Sequence, residues 1–452
     1  MNLKAKKLIY LLLVLLFVFV FSQLALAEEN KVEITLTLWA PPHISVVMEG
    51  INEFEKQYPD IKVNLDSLSG TQYKEILVTK LVAGAEFDVI QMRDEYVPAF
   101  VEAGWIVPLD DFPGVEQYKK DLSQASIGQM SWEGKLYGLP YYQAAESFAY
   151  IPEILNKAGY DHPPKTYDEL LEMAIKIKEK QITYKEKVIE YPISTCTLTQ
   201  YQDIFALWTN LVYSFKGERN AIFDKEGNPV WGEYGRQALE WLYDAIYKYE
   251  VINKVNLALE PNSAINNFSA GQGAFYMGGW DYFFPNQFNN PEFSKIVGEV
   301  KAALLPTGNP DKLDVGLAKV ICRSYAIAAT SKHKEEAWKL LQFMGGKDKF
   351  GEYNQTKRLL FQEGLTFAYL SLWDDPEAKA AIAKRGFPEV AAVQSKNSYP
   401  SAELLSFPWF SEWQVYAIAQ LNGVVVKEKG IDEALNDMEK KAKQLAAERA
   451  EW

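Results

Sequence analysis

Residues 32–70 read VEITLTLWAPPHISVVMEGINEFEKQYPDIKVNLDSLSG, and the order of signals within them decides the fold. Val32 to Trp39 alternate and are rich in β-branched residues, which is the pattern of a strand. Pro41-Pro42 stops it, and from His43 the apolar side chains Ile44, Val47, Met48, Ile51, Phe54 and Tyr58 return at helical spacing. Pro59-Asp60 ends that helix, Ile61, Val63 and Leu65 alternate as a second strand, and Ser69-Gly70-Thr71 turns the chain. The unit then repeats. Tyr73, Ile76, Leu77 and Leu81 make a helix with Gly84 as its C-terminal cap, and Phe87 to Met92 (FDVIQM) is a short buried strand. Strands alternating with helices at these lengths call for right-handed crossovers and a mainly parallel sheet. Ligands of such sheets sit beyond the carboxyl ends of the strands, here Trp39-Ala40, Ser69-Gly70-Thr71 and Gln91 to Asp94.

Downstream, Ala103 to Asp111 is a turn and short strand, and Gly134 to Pro140 a hairpin leading into Tyr141-Tyr142-Gln143. A second α/β region follows. Thr166 and Glu169 form a capping box, Gln200 to Tyr213 is an aromatic helix with Tyr201, Phe205 and Trp208 near one face, and Gly235 to Tyr249 is amphipathic. Val300 to Pro306 and Ser324 to Ala329 return to strand character, and a helix starts at Ser331. A linker-like region around Trp373-Asp374-Asp375-Pro376 leads to Trp409 and Trp413, then to a closing helix from Ile431 to Ala447.

A chain of 452 residues is too long for one hydrophobic core and long enough for two substantial domains. With 24% charged and 48% hydrophobic residues, its bulk is globular. Residues 1–27 differ: Lys4, Lys6 and Lys7 precede an apolar run from Leu8 to Phe21, and Ala25-Leu26-Ala27 is a small-x-small cleavage pattern. A secretory signal peptide cleaved near Ala27 is expected, with no cysteine nearby for a lipid anchor, and hence a periplasmic or secreted protein. Losing three lysines and no acid takes the formal charge from −13 to −16, which argues against a nucleic-acid partner. The two cysteines, Cys196 and Cys322, read equally as a pair or as two buried thiols.

The stretch Phe268 to Phe284 (FSAGQGAFYMGGWDYFF) concentrates the signals for a site. A small-residue turn opens it, Ala274 to Met277 reads as a buried strand, and Gly278-Gly279 ends the run before Trp280 and Asp281. An indole beside a carboxylate past a strand end suits a flat-faced, hydroxyl-rich ligand; it equally suits an aromatic strand end plugging a core, with Asp281 capping the next turn. Catalytic signatures are missing: there is no G-x-S-x-G, H-E-x-x-H, P-loop or C-x-x-C, and only three histidines. No metal or cofactor is expected. Aromatics are abundant at 14%, and Trp39, Trp280, Trp409 and Trp413 flank turns, where indoles can stack on the apolar faces of sugar rings.

Taken in order, LTLW, FEKQYPDIKV, FDVIQM with AGWIVPLDD, GKLYGLPYY, AGYDHPPKTYDEL, FSAGQGAFYMGGW, SKHKEEAWKLLQFM and IDEAL make the chain resemble the family 1 extracellular solute-binding proteins of ABC importers, the group that includes maltose-binding protein. The resemblance implies a two-lobe α/β fold, each lobe a mainly parallel sheet flanked by helices, with a hinge of crossing strands. Lobe 1 is expected from 28–141 and 321–374, and lobe 2 from 142–320 and 375–452. It also implies a non-enzymatic monomer that closes on a carbohydrate, an oligosaccharide if all four tryptophans serve, and docks on a membrane permease. Carried onto this sequence, Tyr141-Tyr142 is the first crossing, with ligand near Tyr142 and Gln143. Trp280 falls on the family's stacking tryptophan, and Trp413 with Trp409 on an aromatic before the last helices. Gln91, Arg93 and Asp94 take the place of first-lobe polar contacts; Trp39, Gly70, Tyr201 and Asp281 complete the expected site. Ala144 stands where an acidic sugar contact aligns, and Glu146 lies two residues on, which argues against maltose itself. The rival ligands are a polyamine, a peptide or a glycerophosphodiester, and the rival class is a secreted glycoside hydrolase.

Overall fold

The computed structural model describes residues 31–39, 43–69, 72–195, 203–254, 263–313, 317–384, 388–397, 399–400, 404, 407 and 409–450. Nine strands share one sheet: β1 (Val32–Trp39), β2 (Ile61–Leu68), β3 (Val89–Arg93), β4 (Leu139–Tyr150), β5 (Ile193–Thr195), β6 (Phe275–Trp280), β7 (Lys301–Ala303), β8 (Lys319–Ile327) and β9 (Tyr399–Pro400). Their order is β2-β1-β3-β8-β4-β6-β5, with β7 on β4 and β9 on β8. The β2-β1-β3 flank is parallel, joined by helices α1 (Ile44–Gln57) and α2 (Tyr73–Val82), as the alternation of periodicities predicts. Gly84 follows α2 at φ 75°, its N–H donated to Leu81 O at 3.0 Å, so the expected cap is in place.

β4 organises the molecule. Its first half, Leu139 to Ala145, pairs antiparallel with β8. Its second half, Glu146 to Tyr150, pairs with β6, and its last three residues also pair with β7. The strand thus passes from one sheet half to the other between Ala145 and Glu146, a few residues beyond the crossing expected at Tyr141-Tyr142. Two hydrophobic cores lie to either side. One gathers buried residues from Ile34 to Ala144 and from Cys322 to Ile382; the other gathers residues from Phe148 to Ala318 and from Leu404 to Leu445. Ala378 and Ile382 pack in the first core, so the helix Pro376–Lys384, expected in the second lobe, belongs with the first. Asp375 Oδ1 accepts from Ala378 N at 2.9 Å and starts that helix where the sequence suggested a linker.

The second lobe is built on α3 (Tyr167–Glu179), α4 (Asp203–Lys216) and α5 (Gly232–Tyr243). Thr166 Oγ1 caps α3 by accepting from Glu169 N at 3.1 Å, while Glu169 reaches back to Lys165 N at 2.6 Å rather than to Thr166. After Tyr243 the expected long helix widens into a π turn over Asp244–Lys248. α6 (Lys334–Gly345) covers the first lobe, and α7 (Phe410–Val425) and α8 (Ile431–Ala450) close the second. Cys322 is fully buried in β8; Cys196 lies outside the described residues.

Candidate functional site

Where the two sheet halves meet, the carboxyl ends of β1, β3 and β6 face one cavity of about 410 Å³. β1 delivers Trp39 and β3 delivers Arg93, with Asp94 and Glu95 in the 3₁₀ turn that follows. β6 delivers Trp280, and the turn beyond it Tyr282. The crossing strands supply Tyr142 from β4 and Lys319, Ile321 and Arg323 from β8. Phe205 and Ala206 of α4, Leu404, and Phe410 and Gln414 of α7 form the remaining wall.

Trp280 is aimed by a bulge. Register on β4 runs from Phe275 opposite Tyr150 and Tyr276 opposite Ala149, then shifts, so that Gly279 faces Ser147 and Trp280 faces Glu146. Gly278, at φ 78°, takes the left-handed conformation that the shift needs. The paired glycines therefore lie inside the strand rather than ending it. Trp280 and Tyr282, though carried by the second lobe, pack against the first core.

The polar wall is an ion network. Arg323 Nη1 pairs with Asp94 Oδ1 at 2.7 Å, both side chains buried, and Arg93 Nε pairs with Glu95 Oε1 at 2.7 Å. Such a pair is costly to desolvate unless its remaining groups are hydrogen-bonded; Asp94 Oδ2 also accepts from Gln129 Nε2 at 3.1 Å. Burial pushes the Glu95 carboxyl up, but Arg323 and Arg93 outweigh it and hold it down at about 2. The Arg93 and Arg323 guanidinium carbons lie 5.7 and 6.0 Å from the Trp39 ring centroid. Beside the cavity, at the crossing point of β4, burial raises the Glu146 carboxyl to about 7 against the pull of Lys319 and a hydrogen bond from Asn210 Nδ2.

Of the residues expected from sequence, Trp39, Arg93, Asp94, Tyr142 and Trp280 come together on this cavity. Gln91 does not line it: its side chain accepts from Trp39 N at 2.9 Å and donates to the Tyr141 hydroxyl, holding the wall from behind. Gln143 accepts from Ser123 Oγ at 3.0 Å and Ser126 Oγ at 2.6 Å, inside the first lobe. Asp281 accepts from Thr366 Oγ1. Trp409 and Trp413 are core residues; Trp413 is 0% exposed and gives its indole N–H to Met438 O at 2.9 Å. Gly70 and Tyr201 lie outside the described residues. Arg323 and Lys319 escaped the sequence reading, although an arginine inside the apolar run KVICRSYAIAA was a signal, since charges are rarely buried without a purpose. Among the described residues there is no cluster of three metal-ligating side chains, and no helix is long and apolar enough to cross a membrane.

The family model of the bacterial extracellular solute-binding proteins matches residues 40–349. The chain belongs to that family. A binding protein of Brucella abortus (strain 2308) is 24% identical over 384 residues, 82% of this chain and 87% of its own length. A Deinococcus radiodurans protein named as an ABC transporter-binding protein is 27% identical over 250 residues, 55% of either chain. Among solved structures, maltose-bound MalE3 of T. maritima superposes with a TM-score of 0.74 at 22% identity, covering 92% of this chain and 100% of that one. The two-lobe α/β fold of these solute-binding proteins of ABC transporters is therefore the fold of this chain.

Proposed function

We propose that the protein captures a short carbohydrate between its lobes and presents it, enclosed, to the permease of an ABC importer. The observation that supports this best is the pair of indoles, Trp39 from one lobe and Trp280 from the other, on the walls of a single 410 Å³ cavity. That volume is within the range of about 300–1,000 Å³ usual for small-molecule sites. Each indole offers a face for one ring, and charged and amide groups between them suit hydroxyls. With Trp409 and Trp413 buried in the second core, two stacking faces remain in place of four, which favours one or two sugar rings over a longer chain. Site residues proposed to touch the ligand are Trp39, Arg93, Asp94, Tyr142 and Trp280.

Binding is favoured over hydrolysis by the state of the carboxylates. A glycosidase needs a carboxylic acid that still holds its proton at the scissile bond. Both carboxylates among the described wall residues are committed to arginine, Asp94 to Arg323 and Glu95 to Arg93, with Glu95 held down at about 2; Glu146, which burial raises to about 7, is not among the described residues that line the cavity. The test is thermal unfolding of the protein against mono- and disaccharides, polyamines and dipeptides, with chromatography of the ligand afterwards. A saccharide-specific rise in midpoint with the sugar recovered intact is expected. A rise with a polyamine or dipeptide alone would replace the ligand class, and loss of the sugar would make the protein an enzyme.

A further inference from the structure

Among the described residues the charges on the cavity wall do not cancel: three cationic side chains, Arg93, Lys319 and Arg323, face two carboxylates, Asp94 and Glu95. Both carboxylates are already engaged by arginine. Lys319 is not engaged in return: it forms no ion pair with any described residue, although it opens β8 on the floor of the cleft. Arg323 is 5% exposed and spends only Nη1 on the protein, bonding Asp94 and Cys322 O. Its Nε is buried and meets no hydrogen-bond partner among the described residues. A guanidinium carries five donors, and leaving them unmet in a buried site costs free energy that a ligand acceptor would recover. The excess is local, since the chain as a whole carries a formal charge of −13. Glu146, the further carboxyl near Lys319, is held partly neutral by burial and offsets the ammonium only in part.

Resting on the carbohydrate reading above, we infer that the preferred ligand is an acidic saccharide, whose single anionic group is received by Lys319 and the unused donors of Arg323. A carboxylate, as in a hexuronic acid, matches the planar fork of Arg323, with Lys319 as a point charge beside it. A phosphate ester shares this chemistry and is separated by experiment. Neutral sugars would leave the buried Nε of Arg323 and the excess charge without an anionic partner.

The test is calorimetric titration of the full protein with glucuronate, galacturonate and digalacturonate, with glucose 6-phosphate, and with glucose, galactose and cellobiose as neutral controls. At least one charged saccharide is expected to bind tenfold or more tightly than its neutral counterpart; whether it carries carboxylate or phosphate names the source of the charge. Lys319→Gln should remove most of that preference, and Lys319→Arg should keep it. Lys319 is half-buried, so the fold should tolerate both variants; equal unfolding midpoints would verify this. Neutral sugars binding as tightly as charged ones, or Lys319→Gln leaving the ratio unchanged, would overturn the inference while the carbohydrate reading stands. If no saccharide binds and a polyamine or dipeptide does, both readings fail.

Discussion

At the scale of single residues, four tryptophans that look alike in sequence divide into two kinds. Trp39 and Trp280 stand on a cavity, whereas Trp409 and Trp413 fill a core, Trp409 stacked on Phe407, Trp413 tilted against Trp231, and both tryptophans edge-to-face with Phe223. Trp280→Ala or Trp39→Ala should therefore weaken ligand at least tenfold while costing less stability than a core tryptophan, since both indoles are only partly buried against the first core. Trp413→Ala should do the reverse, costing about 3–5 kcal/mol of stability through a core cavity and a lost hydrogen bond. Glu146 allows a second prediction. Its folded value of about 7 stands above the ordinary 4.5, so the native state holds a proton that the unfolded chain releases. Stability should thus fall as pH rises from about 4.5 through 7, and level off above. The span is on the order of 3 kcal/mol. Glu146→Gln keeps an acceptor for Asn210 and removes the charge. Urea titrations across this range should show the variant flatter with pH and more stable than the parent at pH 8; parallel curves would mean that Glu146 is not the group responsible.

At the scale of elements, the regular pieces were legible because their periodicities are local. Ile34, Leu36, Val47, Ile51 and Phe54 are buried where alternation or helical spacing put them, whereas Met48, expected on the same helical face, is exposed and Val46 is buried instead. The lining of the candidate cavity was legible where a strand end carried an unusual residue, as at Trp39, Arg93, Asp94 and Trp280. It was not where the residue's role depends on a partner far along the chain. Arg323 is drawn to Asp94, 229 residues away, by a strand pairing that no local pattern reveals. Trp413 is claimed by Met438 through the packing of α7 on α8. The glycines of β6 fall between: the sequence marks them as a break, but the structure uses them as a bulge within the strand. Gly278→Ala would force a Cβ into the left-handed region at φ 78°, costing about 1–2 kcal/mol, or drive the bulge out. Because a one-residue slip turns every later side chain to the opposite face, loss of the bulge would swing Trp280 off the cavity. The variant should lower both the unfolding midpoint and ligand affinity. A drop in stability with affinity unchanged would show that the bulge does not set the indole.

At the scale of the whole molecule, two antiparallel strands, β4 and β8, run where the cores meet, and β4 changes partners between Ala145 and Glu146. A rotation placed there leaves the packing within each core in place, while the contacts of Trp280, Tyr282 and Asp281 with the first lobe would have to adjust. Trp39 is carried by a strand of the first lobe and Trp280 by a strand of the second, so on the proposed reading closure would bring the two indoles together on a ligand that touches both. A ligand can shift such an equilibrium only by its differential affinity for the closed form. The capture mechanism therefore makes a joint prediction about shape and stability. Small-angle scattering of the protein saturated with its ligand should give a smaller radius of gyration than the free protein, and at about 100 times the dissociation constant the ligand should add about 2.7 kcal/mol to stability. Trp280→Ala, held saturated at higher concentration, should show a weaker contraction, since the second lobe then has less to gain from closing. Binding with full stabilisation and an unchanged scattering curve would mean a cleft already set in its final shape, and a role for β4 and β8 as a rigid joint in place of a hinge.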